Sequence, residues 1–143
     1  MQGISDLVVA SSQFSKAYQS YISKVAEKHN LSIIEVDVLL FLANNPLFDT
    51  AKDIVQYRRI GKSYVSKAVD LLLNKKLLSA IIDSNDRRIT HLKINESAIN
   101  IIKDGQAAQH SFIDVLHQNI SEEELKQLDS IISKMNDNIS KII

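Results

Sequence analysis

The chain has no cysteine, one proline and three glycines. Without cysteine, disulfide bonds, thiolate zinc sites and cysteine-based redox sensing are all excluded. So little proline and glycine favours long helices over a many-stranded sheet. No apolar run reaches the roughly 18 residues of a membrane span, and the N-terminus lacks the basic-then-apolar layout of a signal peptide. We therefore expect a cytoplasmic protein that does not span a membrane.

The composition and length bound the class of protein. Hydrophobic residues make up 45% of the 143 positions, which excludes a disordered tail. The length predicts one domain, residues 1–143, with enough side chains to bury a core. The sequence holds no Gly-rich phosphate loop, no nucleophile motif and no clear pair of catalytic carboxylates. We therefore predict a protein that is not an enzyme and that carries no cofactor.

Charge is unevenly distributed along the chain, although the formal net charge is zero. Residues 49–93 hold ten Lys and Arg against five Asp and Glu, a local charge of +5, and the remainder carries −5. A charged partner responds to the potential within about 10 Å at ~0.1 M salt rather than to the sum over the chain. A basic middle between acidic ends is typical of a DNA-reading module on a separate scaffold.

Hydrophobic periodicity and capping residues divide the chain into helices and one hairpin. Capping-box patterns start at Ser32 with Glu35 and at Ser121 with Glu124. The predicted elements in chain order are helices over 4–29, from Ser32 to the residue before Asn44, from Asp49 or Thr50 to about Tyr57 and over 62–76, strands over 78–82 and 89–94, a helix over 96–118 capped by Asn95, and a last helix from Ser121 to the C-terminus. This order predicts a mainly α (α+β) fold.

The helix over 62–76 and the hairpin after it carry the chemistry that indicates a function. The helix opens with Lys62-Ser63-Tyr64-Val65-Ser66-Lys67, and small hydroxyls with cations on one helix suit base edges and phosphates in a major groove. The hairpin ends in Asn85, Arg87 and Arg88, which can reach the neighbouring backbone or minor groove. A helix followed by such a hairpin is the order of a winged helix-turn-helix, so we predict a DNA-binding transcription factor.

Two segments carry a family resemblance. Residues 61–70, Gly-Lys-Ser-Tyr-Val-Ser-Lys-Ala-Val-Asp, match a small–basic–Ser–x–Val–Ser–basic–x–Val–Asp pattern, and residues 83–88, Asp-Ser-Asn-Asp-Arg-Arg, match most of Asp-x-Arg-Asp-x-Arg. In this order and spacing they resemble the recognition helix and wing of the MarR family of bacterial regulators. The resemblance implies a winged-helix lobe over 32–94 with a two-stranded wing, and a helical dimerisation region over 4–30 and 96–143.

The chain departs from the family pattern at the tip of the wing. Asn85 stands where the family usually has the arginine that enters the minor groove. Arg87, two residues on in what we predict to be an extended strand, lies on the same side and is the expected substitute. Whether Asn85 or Arg87 reads the minor groove is left open. The resemblance also implies that Asp86 and Arg88 form a pair that shapes the wing.

The predicted DNA-binding residues come from the helix, the turn before it and the wing: Arg58, Arg59, Lys62, Ser63, Tyr64, Ser66, Lys67, Asn85, Arg87 and Arg88. On the helix, cations and hydroxyls share one broad face, whereas Val65, Val69 and Leu72 turn inward. Arg58 and Arg59 are either phosphate contacts or ordinary turn residues. The alternative function is a dimeric protein-interaction adaptor that uses the same fold without binding DNA, and such an adaptor would tend to lose the cations.

The last helix carries a sustained apolar stripe from Leu125 to Ile142, and the first helix carries another. The compact middle of a monomer covers only part of these two stripes, and long exposed apolar patches usually mark interfaces. We therefore predict a two-fold homodimer joined by its terminal helices. Pairing of the first and last helices within one chain is the alternative.

The resemblance implies a repressor that responds to a small aromatic or phenolic effector bound between the dimer core and the DNA-binding lobe. The implied pocket residues are Phe14, Tyr18, Tyr21 and Phe41, for which core packing is the alternative role. The dimer would occupy a pseudo-palindromic operator on double-stranded DNA with half-sites about 10 bp apart. The effector would release it by favouring a different spacing of the two lobes.

Three potential metal ligands, His110, Asp114 and His117, share one helix face at positions i, i+4 and i+7. No fourth ligand is evident, and such triples also occur on plain solvated faces, so we predict no bound metal. His29 and His91 are isolated in the sequence and are interpreted as structural residues.

Overall fold

The computed structural model describes residues 3–143, which fall into two compact units that divide between Phe112 and Ile113. The elements in chain order are α1 (Ile4–Lys28), α2 (Ile33–Asn44), α3 (Ala51–Arg58), α4 (Lys62–Asn74), β1 (Leu78–Ile82), β2 (Thr90–Ile94), a short 3₁₀ helix (Glu96–Ala98), α5 (Ile99–Leu116) and α6 (Glu122–Ser140). The predicted mainly α fold with one two-stranded antiparallel sheet is confirmed.

Side-chain caps define three of the helix starts. Ser32 and Glu35 form the predicted capping box of α2, and Ser121 forms the predicted one of α6 with Glu124. For α3 the sequence left open whether Asp49 or Thr50 is the N-cap. Thr50 is the cap, and it forms a third box because its hydroxyl accepts from the Asp53 N–H while the Asp53 carboxylate accepts from the Thr50 N–H.

The start of the fifth helix differs from the prediction. Asn95 does occupy the N-cap position, but its side chain makes no capping hydrogen bond. Its carboxamide oxygen instead accepts from the Ser79 hydroxyl, at 2.8 Å, and its amide donates to the Lys76 carbonyl, at 2.9 Å. The side chain thus ties the hairpin to the end of α4, and residues 96–98 form a 3₁₀ turn before the α-helix begins at Ile99.

The hydrophobic core of the unit that ends at Phe112 is built around α2. Seven of its twelve residues are buried, on every side of the helix. Val38, Leu39 and Leu42 pack with side chains of α3, α4 and the hairpin, whereas Val36 and Leu40 pack with α1. A helix apolar on all faces is expected in an interior position, so α2 is the element that joins the two clusters.

Burial of one acidic residue shows how α4 is held against α2. Glu35 is only 3% exposed. Its carboxylate accepts from the Ser32 N–H and from Lys75 Nζ, the latter at 2.8 Å. Burial acts to raise the pKa of Glu35, but the Lys75 and Ser32 hydrogen bonds outweigh it and lower that pKa. The ion pair therefore joins the start of α2 to the residue that follows α4.

The hairpin pairs Leu78 with Ile94 and Ile82 with Thr90 in an antiparallel register. Leu78 and Leu92 are buried and place one face of the hairpin on the core. The backbone N–H of Leu92 donates to the Asp49 carbonyl, at 2.7 Å, so β2 is also fixed to the segment that precedes α3. The hairpin is thus attached to the core through Leu78 and Leu92, and the loop between its strands is largely exposed.

Helix α6 lies in the second compact unit and is amphipathic. None of its residues, all within the described part of the chain, is buried. Its large apolar side chains, Leu128, Ile131, Ile132, Met135 and Ile139, are between 42% and 50% exposed. Across residues 3–143, none of the helices combines the length and the hydropathy needed to cross a bilayer.

Candidate nucleic-acid interface

The N-terminal half of α4 separates an exposed polar face from a buried apolar one. Lys62, Ser63, Tyr64, Ser66 and Lys67 are all exposed. The inward positions, Val65, Ala68, Val69 and Leu72, are buried in the core. The sequence predicted this division, and it places two hydroxyls and two cations on the outward face of one helix.

The start of α4 has backbone donors that no side chain in the described chain satisfies. Gly61 is its N-cap and makes no side-chain hydrogen bond. A helix start leaves unpaired N–H groups and a partial positive charge, which together favour a phosphate or another anion. This backbone contribution adds to the positive charge of Lys62 in the same turn.

The two arginines before α4 have different environments. Arg58 is the last residue of α3, and its guanidinium lies 3.3 Å from a carboxylate oxygen of Asp37 on α2. Arg59 follows in the left-handed conformation, with φ 55°, and is exposed. Arg58 is thus engaged with a carboxylate of α2, whereas Arg59 is exposed, and both stay candidate phosphate contacts.

The wing loop is folded by two aspartates. Asp83 accepts the backbone N–H groups of Asn85 and Asp86, at 2.8 and 2.9 Å. Asp86 accepts from the Arg88 N–H and forms the expected pair with its guanidinium, at 3.0 Å, and this pair lowers the pKa of Asp86. Asn85 and Arg87 are left exposed at the tip.

The shape of this loop differs from the predicted extended strand at Arg87. Residues 83–89 form bends and a turn between the strands, so Arg87 does not lie in an extended segment two residues from Asn85. The alternation of side chains along a strand therefore does not place the two on one side. Arg87 remains a candidate for the wing-tip contact on the ground of its exposure and charge.

A histidine that sequence reasoning treated as isolated lies at the base of the wing. His91 Nδ1 is 2.7 Å from Asp49 Oδ1, and its Nε2 is 2.8 Å from Asp83 Oδ2. The three residues are separated by up to 42 positions in the chain. The sequence signal that could have found them is the hairpin register, which brings His91 opposite Ile81, close to Asp83.

A small polar pocket lies where α1, α2, α3 and α5 meet. Its volume is about 160 Å³, and Tyr18, Asp37, Leu40, Phe41, Asn44, Asn45, Arg58 and Gln109 line it. Tyr18 and Phe41 were predicted as pocket residues, whereas the polar lining was not anticipated. Phe14, Tyr18 and Tyr21 pack edge-on against Phe112, with ring centroids 5.2 to 5.6 Å apart. Phe14 and Tyr21 do not line this pocket.

The polar groups of this pocket form a partly satisfied network. Gln109 donates to the Tyr18 hydroxyl, at 2.9 Å, and accepts from Asn44, at 3.1 Å. Asp37 Oδ1 is buried and has no partner among the described residues. Burial raises the pKa of the Asp37 carboxyl, against the opposing effect of Arg58. An unpartnered buried carboxylate oxygen is available to accept a hydrogen bond from a bound molecule.

The candidate metal ligands are not assembled into a site. Within residues 3–143, no group of three or more His, Asp or Glu side chains lies in an arrangement that could hold a metal ion. His110 and Asp114 are exposed on α5, and His117 follows the end of that helix.

The segment that contains α2, α3, α4 and the wing loop matches a known protein family. A family model described as the MarR family matches residues 29–89, from the end of α1 to the end of the wing loop. The winged-helix lobe of this chain is thus similar to the MarR family over residues 29–89. The family resemblance stated from residues 61–70 and 83–88 is thereby confirmed.

Two curated relatives match by sequence. The HTH-type transcriptional regulator MhqR of Bacillus subtilis is 28% identical over 127 residues, which are 85% of this chain and 85% of that protein. The anti-sigma-I factor RsgI5 of Acetivibrio thermocellus is 30% identical over 109 residues, or 76% of this chain. The chain spans 20% of the length of that second relative.

Solved structures share the whole architecture. A MarR transcriptional regulator from Methanosarcina mazei has a TM-score of 0.80 at 18% identity, covering 97% of this chain and 99% of the other. The S. aureus MepR–DNA complex has a TM-score of 0.72 at 19% identity, covering 97% and 96%. These similarities establish that the fold extends beyond the matched lobe to the terminal helices.

Proposed function

We propose that this chain is a sequence-specific DNA-binding transcriptional regulator that acts as a homodimer and represses its target genes. The observation that carries the proposal is the outward face of α4, where two lysines and two serines are exposed beside an uncapped helix start. Lysines and backbone donors suit phosphates, and small hydroxyls suit base edges. The same fold is bound to DNA in the MepR complex, which supports docking through α4.

The proposed interface has three parts. The α4 face enters the major groove, with Ser63 and Ser66 nearest the base edges and Lys62 and Lys67 toward phosphates. Arg59, exposed at the turn, contacts a phosphate. The wing tip, with Asn85 and Arg87, approaches the minor groove beside it. The local charge of +5 over residues 49–93 attracts the DNA backbone to this lobe.

Dimerisation follows from the apolar surface of the terminal helices. The α6 stripe is 42% to 50% exposed from Leu128 to Ile139, and Ile4, Leu7, Val8 and Val9 at the start of α1 are also exposed. A second copy of the chain would bury both surfaces in a closed two-fold assembly. Two recognition helices would then reach successive major grooves of a pseudo-palindrome, about 10 bp apart.

An effector is proposed to bind in the pocket lined by Tyr18, Asp37 and Phe41. Its volume of about 160 Å³ suits a single substituted ring. A phenolic hydroxyl could donate to the unpartnered oxygen of Asp37, and Phe41 offers an aromatic wall. Arg58 lies in the same pocket and ends α3, so an occupant that displaces it acts directly on the turn before α4.

The alternative function is a protein-interaction adaptor that does not bind DNA. An adaptor has no need of exposed cations on α4 or at the wing tip. Lys62, Lys67 and Arg87 are exposed, and none of them forms an ion pair within residues 3–143. Three unpaired cations around one helix and one loop favour a polyanionic partner.

The first test concerns the role of Lys67. An operator is selected from a pool of random duplexes with the full chain, and affinities for it and for random DNA are measured at several salt concentrations. Lys67→Ala should weaken both and lower the salt slope by about one, because one phosphate contact is lost. Ser63→Ala and Ser66→Ala should change the preference among operators. Lys103→Ala on α5 is the matched control, and equal effects from all four variants would contradict base readout by α4.

The second test concerns the wing tip. Arg87→Ala should cost about 1–3 kcal/mol of DNA binding free energy and clearly more than Asn85→Ala, because a guanidinium is favoured in a narrow, electronegative groove. Arg88→Ala should mainly loosen the loop through loss of its pair with Asp86. Asn85→Arg should tighten binding, most strongly to A·T-rich flanks. If Asn85→Ala proves the most damaging in operator titrations, Asn85 itself reads the groove.

The third test concerns assembly. The full chain should sediment as a dimer, and Ile132→Glu should convert it to a monomer because a charge on the stripe is incompatible with a buried interface. Ser130→Glu, on the same helix, is the control that should leave the dimer intact. Deletion of residues 125–143 should abolish folded protein that stays in solution. A folded monomer from that deletion, or a dimer unchanged by Ile132→Glu, would refute the proposed interface.

The fourth test concerns the effector pocket. Phenol and catechol should bind the full chain with Kd between about 10 µM and 1 mM, the range open to ligands of this size. Asp37→Asn should weaken calorimetrically measured binding by about tenfold through loss of a charge-assisted hydrogen bond. Asp104→Asn on α5 is the control, since it makes the same change outside the pocket. Equal affinities in the two variants would exclude Asp37 as the ligand-binding group.

A further inference from the structure

The base of the wing contains a histidine held between two carboxylates. His91 is the second residue of β2, close to the wing loop, with Nδ1 2.7 Å from Asp49 and Nε2 2.8 Å from Asp83. All three side chains are partly buried, with exposed fractions of 33% for His91, 39% for Asp49 and 25% for Asp83. Both ring nitrogens are therefore within hydrogen-bond distance of a carboxylate oxygen at the same time.

The protonation state follows from this geometry. A neutral imidazole has one N–H donor and one acceptor nitrogen, whereas an ionised carboxylate only accepts. Two hydrogen bonds to two ionised carboxylates therefore require the imidazolium, in which both nitrogens donate. In agreement, the hydrogen bonds to Asp49 and then to Asp83 raise the pKa of His91, and the His91 hydrogen bond is the main cause that lowers the pKa of Asp83 to about 2.

The two carboxylates belong to different parts of the DNA-binding lobe. Asp49 lies directly before the Thr50 cap of α3, and its carbonyl accepts the Leu92 N–H. Asp83 begins the wing loop, and its other oxygen holds the backbone of Asn85 and Asp86. The His91 proton thus links the segment before α3 to the loop that carries Asn85 and Arg87.

We propose that His91, as an imidazolium, is a positioning residue that holds the wing in the conformation that contacts DNA, so that DNA affinity falls as His91 loses its proton. The inference rests on the proposed DNA-binding function. Deprotonation removes one of the two hydrogen bonds, frees the loop at Asp83 or the segment at Asp49, and leaves two carboxylates without a cation beside a polyanion. Both consequences weaken binding.

The surroundings of His91 contain few other charges. From β1, the cross-strand neighbour is Ile81, and the loop before α3 contributes Asp49 together with the apolar Pro46 and, from α2, Leu42. On β2 the charged neighbour is Lys93, two residues along the strand and therefore on the same face as His91.

In the wing loop, Asp83 faces the ring directly. Asp86 interacts with Asp83 but is paired with Arg88, and Arg87 is exposed at the tip. The two aspartates are therefore the groups that set the protonation of His91.

The pH window follows from the directions of the two shifts. The His91 pKa is raised from its usual 6.5, so the wing contact is complete below that value and is lost as pH rises through the higher folded pKa. The Asp83 pKa is depressed from 3.8 to about 2, so the contribution of its ionised form is present above 3.8 and is lost as pH falls toward about 2. The wing is thus held from about pH 4 to the raised pKa of His91.

The test uses the full chain and the operator selected above, with affinities measured from pH 6 to pH 9 at constant ionic strength. The wild type should lose affinity across this range by about threefold per wing, the scale of interactions between exposed charges. His91→Gln should bind at every pH with the affinity that the wild type has at pH 9. His91→Arg should bind at every pH with the affinity that the wild type has at pH 6. A purely structural role would weaken both variants without separating their profiles.

A control variant and a second measurement distinguish failure of the inference about His91 from failure of the proposed DNA-binding function. His29→Gln is the matched control, because His29 also lies 2.7 Å from a carboxylate, that of Asp104 on α5, and should keep the wild-type profile. NMR titration of the free protein should show a His91 pKa above the usual 6.5 in the wild type, and a lower His91 pKa in Asp49→Asn and in Asp83→Asn. A neutral His91 at pH 6, or a wild-type pH profile in His91→Gln, would overturn the inference. Absence of DNA binding at every pH would instead overturn the proposed function, together with the role assigned to the wing.

Discussion

The packing of α2 is the constraint on which the rest of this structure depends. Its side chains fill both hydrophobic clusters, with Leu39 in the cluster formed with α3, α4 and the hairpin and Leu40 in the cluster with α1. Truncation of one such side chain to alanine typically costs 2–5 kcal/mol, a large part of the stability of a domain this size. Because α2 serves both clusters, α4 and α1 both pack against one shared element.

Close packing of α5 on α2 depends on a single glycine. A Cβ added at Gly105 would lie 2.7 Å from a methyl group of Leu40, and Leu40 is itself 2% exposed and has little room to move. Helix interiors otherwise disfavour glycine by about 1 kcal/mol relative to alanine. The glycine is therefore explained by the approach of the two helices, which also brings Gln109 of α5 within reach of Tyr18 and Asn44.

Local patterns in the sequence predicted most of the fold, but they did not predict the polar contacts between residues far apart in the chain. Capping boxes at Ser32 and Ser121, and the strand over 78–82, depend on residues within three or four positions and were confirmed. The division of α4 into polar and apolar faces follows from helical spacing alone. By contrast, Asp37 with Arg58 and His91 with its two aspartates join positions 8 to 42 residues apart, and periodicity carries no information about them. Asn95 was misjudged for the same reason, since its partners lie on the hairpin and after α4.

The eight residues of α3 connect the two polar clusters that the sequence did not reveal. At its start, Asp49 precedes the Thr50 cap and bonds to His91 at the base of the wing. At its end, Arg58 bonds to Asp37 in the pocket, and Arg59 in the left-handed conformation turns the chain into α4. The pocket and the histidine cluster are thus anchored at opposite ends of one eight-residue helix, and both contacts fix the position of the segment that leads into α4.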